Sequence, residues 1–255
     1  MHRWIVVVLL SGVLLQPLLA QRPTGFLDRA IVFQGQERRH QVYVPPGAAP
    51  EHGWPVILFL RGAGGRGADG MRPSEIGLGR AIRWHRDLIP AVVVFPQVTH
   101  ADSFWAGADL LMALAALDTA IAVFGGDPTR QYLTGLSMGG FGTWRTAAEH
   151  PGRFAAIVPI AAGRLDPLPI GAPPDAADPY MEVATRVRHL PAWVFHGARD
   201  TITVRHARGH VDALRRLGAD VRYTEYPEAG HDAWTAAYAD PALWDWLFAQ
   251  RRPDR

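Results

Sequence analysis

The chain has no cysteine among its 255 residues. That absence excludes disulfides, thiolate metal sites, a cysteine nucleophile and lipid modification of an N-terminal cysteine. Long runs of basic residues are missing as well, and aromatic residues do not interleave with basic ones. The formal net charge is only +2, and the pI of 9.3 reflects arginine rather than a basic patch. Nucleic acid is therefore not an expected partner. No internal repeat and no long linker divides the sequence, and its length suits one large α/β domain. Apolar residues make up 48% of the chain. That is enough for a full core, so the lack of disulfides is tolerable.

The N-terminus reads as a targeting segment. Arg3 supplies a short positive region, Trp4 to Leu15 is almost wholly apolar, and Pro17-Leu18-Leu19-Ala20 has the form of a cleavage region. This is the pattern of a secretory signal peptide over residues 1–20, with residues 21–255 as a single domain. The alternative is an uncleaved anchor, but the apolar run falls short of the roughly 20 residues needed to span a bilayer. The expectation is a secreted or periplasmic protein with no stable membrane anchor after cleavage.

Phe26–Phe33 and Arg39–Val44, with Gln34-Gly35-Gln36 between them, predict a hairpin. Trp54–Leu60 and Ala91–Phe95 are continuous apolar runs, as in strands buried on both faces. Leu110, Leu114, Leu117 and Ile121 repeat at helical spacing within Gly107–Phe124, and Gly125-Gly126-Asp127-Pro128 ends that helix. Further strands are predicted at Arg130–Thr134, Phe154–Ile160, Ala192–Phe195 and Val221–Tyr226. Helical patterns follow at Tyr180–Val187, Val204–Leu217 and Trp234–Phe248. Alternating strands and helices imply an α/β fold: a mostly parallel central sheet, an antiparallel N-terminal edge and helices on both faces. Ligands of such sheets bind beyond the carboxyl ends of the strands.

Gly135-Leu136-Ser137-Met138-Gly139 has the form G-x-S-x-G between a strand and a helix, the context of a nucleophile elbow. The turn exposes the Ser137 hydroxyl, and the two glycines let strand and helix approach closely. Without that context the pattern would describe an ordinary glycine-rich turn with a surface serine. A serine hydroxyl needs a base that is neutral near working pH, which favours histidine. His231 follows the last strand and precedes a helix, and it is the candidate base. His40, His150 and His189 read as surface or helix-end residues. His206 and His210 lie four apart on one helix, but without H-E-x-x-H they read as a solvated face rather than a zinc site. His196 reads as structural. The base needs a carboxylate to fix its tautomer. Asp200 comes just after a strand and before His231, and Asp166 is the rival. The order Ser137, Asp200, His231 is that of strand-end triads. Donors for a tetrahedral oxyanion are expected from the Met138 N–H and from the Ala63 N–H in the loop Arg61–Gly67. A phosphate-binding turn would require a Gly-Lys-Ser/Thr ending there, and none follows.

Trp54-Pro-Val-Ile-Leu-Phe-Leu-Arg-Gly-Ala-Gly, Asp127-Pro-Thr-Arg-Gln-Tyr-Leu-Thr-Gly-Leu-Ser-Met-Gly-Gly, Phe195-His-Gly-Ala-Arg-Asp and Gly230-His-Asp-Ala-Trp together resemble the single-domain bacterial α/β-hydrolase esterases. These are the predicted-peptidase and phospholipase/carboxylesterase-like group, similar to feruloyl and polyhydroxyalkanoate-type esterases. The likeness covers nearly all of the chain after residue 20. It implies an α/β-hydrolase fold, no cofactor and no metal, and the Ser137–His231–Asp200 triad. One position departs from the family pattern: Arg61-Gly62 stands where the family has His-Gly. The loop is then supported in some other way, and Arg61 could favour acidic substrates.

The expected activity is hydrolysis of carboxylic esters through an acyl-enzyme. A serine peptidase on the same fold is the alternative, although no added gating domain is visible. A non-catalytic binding protein is disfavoured because no triad residue is missing. Phe104, Trp105 and Trp234 are candidates for the substrate pocket. Trp144 is another aromatic candidate, with core packing as an equal reading. The segment 161–190 is short and proline-rich, so it offers little cover for a long acyl chain. Short-chain acyl, aryl or carbohydrate esters are the expected substrates.

Overall fold

Two positive-φ residues make the first hairpin. Gln34 (φ 50°) and Gly35 (φ 77°) form a tight two-residue turn whose twist matches the flanking strands. Those strands are β1 (Gly25–Phe33) and β2 (Gln36–Val44). The structure is a computed structural model that describes residues 23–165 and 178–252. Residues 1–20, read as a signal peptide, Asp166 and the prolines at 167, 169, 173 and 174 lie outside the described residues.

The apolar runs become the centre of the sheet. All seven residues of β3 (Trp54–Leu60) and all four of β4 (Val92–Phe95) are buried. They are joined by β5 (Gly126–Leu136), β6 (Ala156–Ile160), β7 (Ala192–Gly197) and β8 (Val221–Tyr226). The eight strands run in the order β1-β2-β4-β3-β5-β6-β7-β8. β2 is antiparallel to both β1 and β4, and every later pairing is parallel. β5 sits mid-sheet between β3 and β6, so its carboxyl end is flanked on both sides.

Seven helices are present among the described residues: α1 (Leu78–His85), α2 (Gly107–Phe124), α3 (Met138–Glu149), α4 (Pro179–Val187), α5 (Arg205–Arg216), α6 (Trp234–Ala239) and α7 (Pro241–Ala249). The side-chain alternation of β3 divides the core. Val56, Leu58 and Leu60 face the layer of α2, α3, α4 and α5, while Ile57 and Phe59 face α1, α6 and α7. This is the expected two-faced α/β arrangement with an antiparallel N-terminal edge.

Four local expectations are corrected. The helix α1 was not anticipated. The single helical region expected over Trp234–Phe248 is two helices, because Asp240 caps α7 by accepting from the Ala242 N–H at 2.9 Å and Pro241 opens a new first turn. His40 is buried rather than superficial, and burial lowers its pKa. His210 is not on a solvated face. It lies stacked on Trp144 at 4.5 Å with Tyr180 edge-on at 5.0 Å, and burial depresses its pKa to about 3. It is an aromatic of the core, and the Trp144 stacked on it is a core residue too.

Candidate active site

The strand β5 leads into Ser137, which has φ 56° and ψ −122°, and α3 begins at the next residue. A non-glycine residue in that region carries of order 1–3 kcal/mol of strain and persists only where its surroundings enforce it. The enforcement is visible at the glycines. A Cβ on Gly139 would lie 1.7 Å from the Leu60 carbonyl oxygen, and one on Gly135 would lie 2.2 Å from the Gly139 oxygen. No side chain fits at either position. The turn is closed by hydrogen bonds from the Gly140 N–H (2.8 Å) and Phe141 N–H (3.1 Å) to the Ser137 carbonyl, and from the Ser137 N–H to the Ile160 carbonyl (3.0 Å).

The structure brings Ser137, His231 and Asp200 together. His231 Nε2 lies 2.9 Å from Ser137 Oγ, and its Nδ1 lies 2.9 Å from each Asp200 carboxylate oxygen. With the carboxylate as acceptor, Nδ1 carries the proton, which leaves Nε2 free to accept one from the serine. The Asp200 side chain is fully buried, whereas the His231 side chain keeps 35% of its surface exposed. A buried carboxylate must be well hydrogen-bonded. Besides the imidazole, Asp200 accepts from the Ile202 N–H at 2.8 Å, and His196 Nε2 lies 3.3 Å away. His196 is itself buried and shares that nitrogen with the Ile202 carbonyl at 2.8 Å. It braces the loop that carries the acid.

Two loops set the distance between Asp200 and His231. The Ala198 N–H donates to the Tyr226 carbonyl and the Arg199 N–H to the Ala229 carbonyl, each at 3.0 Å. A Cβ on Gly197 would lie 2.0 Å from the Gly230 oxygen, so the loop after β7 presses directly on the residue before His231.

The glycine-rich loop runs alongside the nucleophile. A Cβ on Gly62 would lie 3.2 Å from the Ser137 Cβ, and Ala63 opens a short 3-10 turn. Met138 is the first residue of α3, where backbone N–H groups have no partner inside the helix. The glycine-rich loop at Gly62 and the first turn of α3 thus both adjoin Ser137.

The sequence did not reveal what holds this loop. Trp105, expected at the pocket mouth, is only 1% exposed and donates its indole N–H to the Arg61 carbonyl at 2.9 Å. Its positive φ of 55° and its contact with Gly142 fit it beneath the loop. At the far end of the loop, buried Gln97 donates to the Gly65 carbonyl at 3.1 Å and accepts from the Gly70 N–H at 2.6 Å. Trp105 and Gln97 thus support the loop. The Arg61 side chain folds back over Gly65, where a Cβ would meet its Cγ at 2.3 Å, and burial lowers the Arg61 pKa. Phe104 is 47% exposed and edge-on to Phe141 at 6.3 Å. Trp234 is partly buried and stands edge-on to the His231 ring at 5.2 Å.

A mostly parallel sheet with helices on both faces, and a serine on a strained turn at the carboxyl end of its central strand, define an α/β hydrolase. Residues 32–237 match the family model described as "Putative esterase", and the chain belongs to that family. It is 28% identical over 246 residues to a poly(3-hydroxyoctanoate) depolymerase of Pseudomonas fluorescens, covering 86% of this chain and 82% of that one. It is 29% identical over 161 residues to "Putative esterase NocK" of Nocardia uniformis subsp. tsuyamanensis, covering 61% of this chain and 46% of NocK. Among solved structures, a thermostable esterase superposes with a TM-score of 0.73 at 29% identity, covering 89% of this chain and 63% of that one. The chain thus spans less than two thirds of NocK and of the thermostable esterase.

The close approach at Gly139 gives a direct test. Gly139→Ala is expected to lose about 3 kcal/mol or more of stability, read as a lower midpoint in urea unfolding. An unchanged midpoint would contradict the packing described for the turn.

Proposed function

We propose that this protein is a serine hydrolase of carboxylic esters, with Ser137 as nucleophile, His231 as general base and then acid, and Asp200 as the carboxylate that orients the imidazole. The single observation that carries the reading is the unbroken series of hydrogen bonds from Ser137 Oγ through His231 to the fully buried Asp200. His231 Nε2 takes the hydroxyl proton as Ser137 Oγ attacks the ester carbonyl. The carbonyl oxygen becomes an oxyanion between the Met138 and Ala63 N–H groups, where fixed donors stabilise it without reorganising. The imidazolium, stabilised by Asp200, then protonates the departing alcohol. Water enters, gives its proton to His231 and releases the acid from the acyl-serine.

Ser137→Ala is expected to lower kcat by about 10⁴- to 10⁶-fold with the fold retained. Asp200→Asn, which holds the wrong imidazole tautomer, is expected to lower it by about 10³- to 10⁴-fold. A fluorophosphonate probe should label Ser137 and no other residue. Full activity in Ser137→Ala would end the proposal.

For the substrate we infer short-chain acyl, aryl or carbohydrate esters rather than long-chain lipids. The support is the exposed Phe104 packed edge-on to Phe141 of α3 and the partly exposed Trp234 beside His231, together with the shortness of segment 161–190. Each buried methylene would contribute about 0.8 kcal/mol, so a lipase requires an extended apolar channel. The measurement is kcat/KM for p-nitrophenyl esters from acetate to palmitate. A maximum at the short end is expected, and a maximum at palmitate would refute this specificity. We infer as well that residues 1–20 direct export and are removed. N-terminal sequencing of the exported protein is expected to begin at Gln21, and retention of residues 1–20 would refute it.

A further inference from the structure

Neither oxygen of the Asp200 carboxylate is nearer to the imidazole than the other. Both lie 2.9 Å from His231 Nδ1, so the carboxylate meets the ring square-on. The terminal torsion of an aspartate is broad and does not by itself fix such an arrangement. A second contact at each oxygen does. Oδ1 accepts from the Ile202 N–H at 2.8 Å, which closes an Asx turn over residues 200–202. Oδ2 has His196 Nε2 at 3.3 Å.

The tautomer of His196 follows from its surroundings. Nε2 lies 2.8 Å from the Ile202 carbonyl, which can only accept, so Nε2 carries a proton. Nδ1 is buried without a hydrogen-bond partner, and a proton there would be a donor with no acceptor. Ile202 is thereby gripped at both ends, its N–H by Asp200 and its carbonyl by His196. His196 belongs to β7, whose pairing with β8 extends past it to Gly197–Tyr226, and its side chain is wholly buried. Asp200 and Ile202 lie in the turn beyond that strand. The rigid element carries the donor and the turn carries the acid.

A buried ring nitrogen without a partner costs free energy that an apolar ring of similar shape would not. What histidine adds over such a ring is the N–H on Nε2. We propose, on the basis of the ester-hydrolase reading above, that His196 is a positioning residue of the triad. Its Nε2–H fixes the turn 200–202 and, through it, the rotation of the Asp200 carboxylate, so that both oxygens face His231. It touches neither the substrate nor the reacting atoms and acts only through Asp200. Without that grip the carboxylate can turn, and the imidazole is held less firmly in the orientation that faces Ser137 Oγ. A misplacement of about 1 Å in such a constellation costs up to about 100-fold in rate.

Three replacements separate positioning from packing. His196→Gln puts an amide N–H near the reach of Nε2, His196→Asn puts it near the reach of Nδ1, and His196→Phe fills the space with no donor. With p-nitrophenyl acetate as substrate, His196→Phe and His196→Asn are expected to lower kcat about 10- to 100-fold with KM within about twofold. His196→Gln should recover most of that loss. The decisive arm is a double-mutant cycle with Asp200→Asn. A residue that acts only through Asp200 has nothing left to position there, so His196→Phe should lower kcat by less than about twofold further in that background. Losses that multiply in the double variant overturn the proposal. So does wild-type kcat in His196→Phe, or a loss in His196→Gln as large as that in His196→Asn. Should His196→Phe fail to fold, as read by urea unfolding, the contrast between Gln and Asn decides: it should be present with Asp200 intact and absent in Asp200→Asn. If wild type turns over no ester at all, the ester-hydrolase reading falls and takes this one with it. Turnover with no contrast among the variants removes this one alone.

Discussion

The chain reverses at Ser137 because Gly139 can rest against the Leu60 carbonyl with nothing in between, a contact that a Cβ 1.7 Å from that oxygen would forbid. Gly135 and Gly139 fit together by the same logic. The strained Ser137 conformation has to be offset by what lies on either side of it. On one side, β5 is buried from Gln131 to Leu136 between two parallel neighbours. On the other, Trp144, Ala147 and Ala148 of α3 are buried in the layer of α2 and α5. Burying one such large apolar side chain contributes about 1.5–3 kcal/mol, comparable with the strain of order 1–3 kcal/mol at the turn. The elbow is therefore a property of the whole central sheet and not of five residues.

The same dependence explains why the acid loop is tied so tightly. A buried carboxylate is tolerated only when its lone pairs are occupied. Asp200 meets that condition through His231, the Ile202 N–H and the neighbouring His196. The backbone bonds between the loop after β7 and the loop after β8 fix where the carboxylate stands relative to the imidazole. The distance from acid to base follows from parallel strand pairing, since β7 and β8 are in register from Ala192–Val221 to Gly197–Tyr226.

Much of this was legible in the amino-acid order, and for physical reasons. Strands buried on both faces announce themselves as unbroken apolar runs, so β3 falls where the sequence places it and β4 starts one residue later. The G-x-S-x-G turn is readable because only glycine can occupy its two ends. What stayed hidden depends on tertiary partners. Trp105 looks like any pocket aromatic until the Arg61 carbonyl and Gly142 are seen to lie against it. His210 looks like a surface histidine on an arginine-rich helix until Trp144 and Tyr180 enclose it. The helix α1 is only eight residues long and has Gly79 within it, which lowers its propensity, although Leu78, Ala81 and Ile82 do recur at helical spacing. The break at Asp240-Pro241 did carry a signal, an N-cap residue followed by proline, that the apolar periodicity on either side obscured.

One buried contact joins the base to the nucleophile through the fold rather than across the site. Thr134 lies three residues before Ser137 on β5, and its hydroxyl donates to the Val158 carbonyl at 2.7 Å. A hydroxyl has a single proton, so in the 2.8 Å contact between Thr134 Oγ1 and the Tyr238 hydroxyl the tyrosine must be the donor. Tyr238 is 1% exposed and belongs to α6, the helix that begins three residues after His231. The loop carrying His231 is thereby anchored to the strand leading into Ser137 by a buried hydrogen bond. A buried donor left without its acceptor costs about 1–3 kcal/mol. Sliding α6 along the sheet would break this contact, so the bond acts as a detent for the helix. Ser137 and His231 come from segments 94 residues apart. Their spacing is held not only by their own hydrogen bond but also by the buried one between Tyr238 and Thr134.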